Sequence, residues 1–119
     1  EPRGEPRLRE LFERWIHAGL AREPGCALFV KASTELDEQE GPVREALAAD
    51  HRDLLRSIAQ IVQTCVAAGD LGSGTDPDQF ATDLTGVMLA LYHAHRLLRD
   101  PQAEVRARRA FEGLLTAAR

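Results

Sequence analysis

Apolar residues recur along this chain at intervals of three and four and nowhere alternate in twos, which predicts helices throughout and no strand. Five such segments are separated by proline and glycine punctuation. Over 6–21, Leu8, Leu11, Phe12, Trp15, Ile16 and Gly19 line one face, while Arg9, Glu10, Glu13, Arg14 and His17 line the other. After the break at Arg22-Glu-Pro-Gly25, a second segment over 25–39 carries Cys26, Phe29, Val30, Ser33 and Leu36. It ends in acidic residues, an arrangement that opposes the helix dipole. The third segment, 43–68, is the longest. Pro42 suits its first position, and Val43, Leu47, His51, Leu54, Ile58, Ile61, Val62 and Cys65 form one stripe. Gly69 suits the position just past its end. A fourth segment over 77–99 opens with Asp76-Pro-Asp-Gln79, which reads as a cap, a first-position proline and a capping box. A fifth, 101–118, repeats the device with Asp100-Pro101, so the last two helices are expected to be consecutive and antiparallel.

The fourth segment is apolar nearly all round. Phe80, Leu84, Val87, Met88, Leu91, His95 and Leu98 share one face, and Thr82, Gly86, Leu89, Ala90, His93 and Leu97 the opposite one. A helix without a polar face must be covered on both sides. One side can meet the domain's own core. For the other, the expected cover is a second copy of the chain. Gly86, Ala90 and Ala94, spaced by four, allow a close approach. The expected interface set is Gly86, Leu89, Ala90, His93 and Leu97, with Phe111 and Leu115 from the fifth segment. The alternative is a core helix buried within one chain. The expected fold is thus an all-α, five-helix orthogonal or antiparallel bundle, whose last two long helices form an intermolecular four-helix bundle.

Composition narrows the class. The length of 119 residues fits one domain spanning 1–119, and 44% hydrophobic against 29% charged residues is a globular balance. No apolar run reaches the length of a membrane span. Two cysteines, Cys26 and Cys65, make no disulfide framework and read as buried thiols in a reducing cytoplasm. The net charge of −4 argues against direct nucleic-acid binding.

No catalytic or metal constellation emerges, and neither an enzyme nor a cofactor is expected. His93 and His95 point in nearly opposite directions on a helix and cannot chelate one metal. Gly72-Ser-Gly74 has neither a strand before it nor a phosphate-loop lysine after it. The five arginines between Arg96 and Arg109 read as a solvated face with ion pairs. His51 and His95, each on an apolar face, are either hydrogen-bonded core residues or polar handles in a cavity. Trp15, Phe12, Phe29, Met88 and Tyr92 are either core or the apolar walls of that cavity.

Leu8-Arg-Glu-Leu-Phe-Glu-Arg-Trp15, Gly25-Cys-Ala-Leu-Phe29, Gly41-Pro-Val-Arg-Glu-Ala-Leu47, Ala67-Ala-Gly-Asp-Leu71 and Asp76-Pro-Asp-Gln-Phe80 together resemble the C-terminal regulatory domain of TetR-type transcriptional regulators. The resemblance covers essentially the whole chain. It implies a bacterial, cytoplasmic, homodimeric sensor of a small apolar or amphipathic effector, in most members a repressor. Such a domain reaches DNA only through an N-terminal helix-turn-helix, which this sequence does not contain. Trp15, Phe29, His51, Met88, Tyr92 and His95 are the candidate cavity residues. The alternative function is a helical interaction module with no small ligand.

Overall fold

The computed structural model describes residues 4–20 and 41–119. Its regular structure is four α-helices: α1 (Glu5–Leu20), α2 (Pro42–Ala67), α3 (Pro77–Tyr92) and α4 (Ala103–Ala118). Among the described residues there is no strand. Four of the five expected helices are thus seen. The segment expected over 25–39, with Cys26 and Phe29, lies outside the described residues.

The helix ends follow their local chemistry. α2 stops at a Schellman arrangement: Gly69 takes a φ of 84°, its N–H donates to the Val66 carbonyl, and the Asp70 N–H donates to the Cys65 carbonyl. α3 starts at Asp76, whose Oδ1 accepts from the backbone N–H of Asp78 at 3.0 Å and of Gln79 at 3.3 Å. The reciprocal half of the expected capping box does not form. The Gln79 side chain turns forward and donates to Asp83 Oδ1 at 2.9 Å.

The expected helix over 77–99 changes pitch. From His93 to Leu97 the turn widens, and the Leu98 N–H donates to the His93 carbonyl five residues back, at 3.2 Å. A wider turn advances each side chain by less than 100°. Leu98, assigned to the core face by uniform helical spacing, is therefore swung outward and is 61% exposed. Arg99 then takes a φ of 52° and breaks the helix, and the Asp100 carboxylate accepts from the Gln102 N–H at 2.9 Å.

One pole of the molecule gathers four helix ends. The Glu5 N–H donates to Asp70 Oδ2 at 3.0 Å, tying the start of α1 to the end of α2. The Gly72 N–H and the Thr75 hydroxyl both donate to the Ala118 carbonyl, tying the start of α3 to the end of α4. α3 therefore runs antiparallel to α4, and it packs against α1, α2 and α4.

The core lies around α3. Leu8, Phe12 and Ile16 come from α1, Ile58, Val62 and Cys65 from α2, Leu84 and Met88 from α3, and Phe111 and Leu115 from α4. Phe12 stacks on Phe111 with ring centroids 4.2 Å apart. The stripe expected along the whole of α2 is buried only from Ile58 onward, and Val43 at its head is 68% exposed. Cys65 is a free, buried thiol, as expected. Burial pushes its pKa up to about 11, so it stays protonated and unreactive at neutral pH.

Candidate functional site

Two features of this bundle bear on function: the outward face of α3 and α4, and the far end of α3.

The outward face begins with the residues opposite α3's buried side. Gly86, Leu89, Ala90, His93 and Leu97 are all exposed, Leu89 at 40% and Leu97 at 70%. A groove of about 540 Å³ runs between α3 and α4, lined by Ala90, Ala94, Ala103 and Ala107, with Asp83 toward the shared pole and Leu98 and Asp100 toward the other end. Two helix-interior glycines, Gly86 and Gly113, lie on these helices, and a Cβ on either would meet nothing within 4 Å among the described residues. A glycine inside a helix costs up to about 1 kcal/mol relative to alanine. Nothing among the described residues requires that cost.

Phe111 and Leu115, expected on the same interface, are placed elsewhere. They are 3% and 0% exposed and belong to the chain's own core, with Phe111 against Phe12. The reason is α1, which covers this side of α4. α1 and α4 run antiparallel beneath a ladder of ion pairs. Arg119 donates to Glu5 at 2.9 Å, Arg9 donates in a bidentate fork to Glu112 at 2.7 and 2.8 Å, and Arg108 donates to Glu13. The Arg108 guanidinium holds the Glu13 carboxyl below the usual carboxylate range, and Arg9 does the same to Glu112. Much of the arginine run is thus satisfied inside the chain, since Arg106 also pairs with Asp100 at 3.0 Å and Arg108 with Glu104 at 2.8 Å.

At the far end of α3, Met88 and Tyr92 are buried and His95 is half-buried. Their spacing of four and three puts them on one side of the helix and its widened turn. His51 on α2 is half-buried. It lies 16 residues before the end of α2, while Tyr92 and His95 lie 15 and 18 residues after the start of α3. Both sets thus stand roughly 25 Å from the shared pole. The Nε2 atoms of both histidines are shut from solvent, and that of His95 has no hydrogen-bond partner among the described residues. Burial lowers the His51 pKa below its usual value, with Asp50 acting weakly against it. A neutral imidazole at physiological pH follows. Trp15, on α1, is half-buried against the core. Phe29 is outside the described residues.

Among the described residues, no cluster of three or more His, Cys, Asp or Glu side chains could hold a metal ion, and no helix is long and apolar enough to cross a membrane.

In comparisons with known proteins, residues 4–111 match the model of one family, described as the tetracyclin repressor-like C-terminal domain. No curated protein matches the chain in sequence.

Proposed function

The chain belongs to the tetracyclin repressor-like C-terminal domains, the regulatory part of TetR-type transcription regulators, and from that membership we propose that it pairs two copies of its regulator and senses a small effector. The observation that carries the pairing is the outward face of α3 and α4. It is exposed, rich in small residues, and carries two glycines that the described residues leave bare. Two α3–α4 hairpins packed face to face make an intermolecular four-helix bundle, and small residues let the helices approach closely.

The sensing half rests on the far end of α3. Met88 and Tyr92 supply an apolar wall, with His51 and His95 as the polar groups of an otherwise apolar lining and Trp15 and Phe29 as further candidates. The neutral imidazole of His51 suits an amphipathic effector with one hydrogen-bonding group. Differential affinity of that effector for two packings of the bundle would bias the DNA-reading heads of the whole regulator.

Thermal denaturation with decanoate and with decanol as probes tests the sensing half. Anything that binds the folded state alone stabilises it, by about 2.7 kcal/mol at 100 times its Kd. The reading expects a rise in Tm with at least one probe, lost in His95→Leu or Met88→Ala. No rise with either probe, or an equal rise in both variants, counts against sensing at this place and favours a pure pairing module.

A further inference from the structure

α2 and the helical run that begins as α3 close in the same way, but the second holds a spare residue. At the end of α2, Gly69 takes the left-handed position and the Asp70 N–H donates to the Cys65 carbonyl, five residues back. After the widened turn, Arg99 takes that position at a φ of 52°, and the Asp100 N–H donates to the Ala94 carbonyl, six residues back, at 2.9 Å. The Leu98 N–H likewise reaches five residues back, where an α-helix reaches four. The turn from His93 to Leu97 thus contains one residue more than an ordinary helix end.

That spare residue decides where Leu98 stands. Leu84, Leu91 and Leu98 are spaced by seven, which sets them in one column along an ordinary helix. The first two are 0% and 2% exposed, yet Leu98 is 61% exposed and lines the α3–α4 groove. Rewinding the turn to ordinary pitch carries Leu98 round by about one residue's angle, roughly 100°. It returns to the column, beside His95 three residues earlier. His95 holds an Nε2 atom shut from solvent and without a partner among the described residues. A left-handed arginine, an exposed leucine and an unpaired buried nitrogen therefore meet in one turn. Strain of this kind clusters at ligand clamps and switch regions.

Resting on the sensing reading above, we propose that Leu98 is a lid poised to close. With an effector held at His95, the turn from His93 to Leu97 rewinds to ordinary helical pitch, and Leu98 swings from the groove onto the effector's apolar body. The effector's hydrogen-bonding group meets His95 Nε2, and its apolar chain lies under Leu98. His51 and His95, the residues at this height, are themselves only half-buried. Leu98 gains little by turning inward until an apolar chain lies there. Burial of Leu98 against that chain supplies the differential affinity that selects the rewound register. One side chain thus belongs to the groove in one register and to the effector's place in the other.

The test is a titration of the whole chain with decanol and with decanoate, affinity being read from the rise in Tm. Leu98→Ala should leave the Tm of the free chain nearly unchanged, because Leu98 is exposed, and should weaken probe binding about tenfold. Leu98→Met should recover most of that loss. Deleting Leu97 shortens the turn to ordinary pitch with Leu98 fixed on the groove side. The deletion variant should therefore fold at least as stably as the wild type and bind as weakly as Leu98→Ala. Leu97→Ala, in the same turn and 70% exposed, should bind as the wild type does. In methyl NMR spectra Leu98 should contact the His95 ring only when the probe is present. Wild-type affinity in either Leu98→Ala or the Leu97 deletion would overturn the lid while leaving the sensing reading intact. No binding of either probe by the wild type would overturn the sensing reading, and the lid with it.

Discussion

Phe111 shows how much one contact decides. Stacked on Phe12 and 3% exposed, it locks α4 to α1 inside one chain. Phe111→Ala is expected to cost about 3–5 kcal/mol, with a drop in Tm that does not depend on protein concentration, as for a core residue. A concentration-dependent drop in urea or thermal melts would instead return Phe111 to a surface between copies. Asp76 is a smaller case. Its carboxylate caps α3 through two backbone N–H groups, and Asp76→Ala should lose about 1 kcal/mol of stability in urea titration. His51 carries a pH dependence. Its folded pKa lies below its unfolded value, so the unfolded chain takes up the proton first. Its contribution is complete above about 6.5 and is lost as pH falls below that. Melts at pH 7.5 and 5.5 should show the loss, and His51→Gln should flatten it. The cap and the buried residues of α3 were legible in the sequence because they obey local rules. Phe111 was not, because helical spacing defines a face and says nothing of which neighbour covers it. Here that neighbour is α1, almost a hundred residues away.

At the scale of elements, the α1–α4 ladder joins the two ends of the chain. Its three rungs, Glu5–Arg119, Arg9–Glu112 and Glu13–Arg108, lie at the surface over the Phe12–Phe111 stack. Exposed pairs contribute little, and replacing Arg9 and Arg108 together by alanine should cost only about 1 kcal/mol. The sign with pH is fixed. The folded pKa values of Glu13 and Glu112 are lowered, so their stabilisation is present above the unfolded value near 4.5 and disappears as pH falls through the folded values. Urea titrations of wild type and the double variant should differ at pH 7 and draw together as pH falls below 4.5. The ladder could not be read from the sequence, since ion pairs across elements depend on the register of two helices. The widened turn at His93–Leu97 was hidden for a related reason. Its residues keep helical composition, and only the backbone bond from Leu98 to His93 reveals that the 100° rule stops there. That slip moves Leu98 from the expected core face to the groove.

For the whole molecule, four helices converge on one pole and α3 takes the central place, with one long side left to the outside. The all-helical architecture and the bareness of that side followed from the periodicity of 77–97, because a helix apolar all round advertises two neighbours. The residues proposed for sensing follow less directly. Met88, Tyr92 and His95 share one side of α3, but the sequence could not say that His51 stands at their height, which depends on how α2 and α3 meet at the shared pole. Gly86→Leu probes the bare side without touching the described fold, since a Cβ there meets nothing within 4 Å among the described residues. The variant should melt as a folded helical chain and fail to pair.

The central claim, that two copies meet through the α3–α4 face, is tested most directly by native mass spectrometry of the wild-type chain beside Gly86→Leu. The account predicts a species at twice the 13.1 kDa chain mass for the wild type and the single-chain mass for the variant. A wild-type monomer at high micromolar concentration, or a variant that dimerises as well as the wild type, would contradict it.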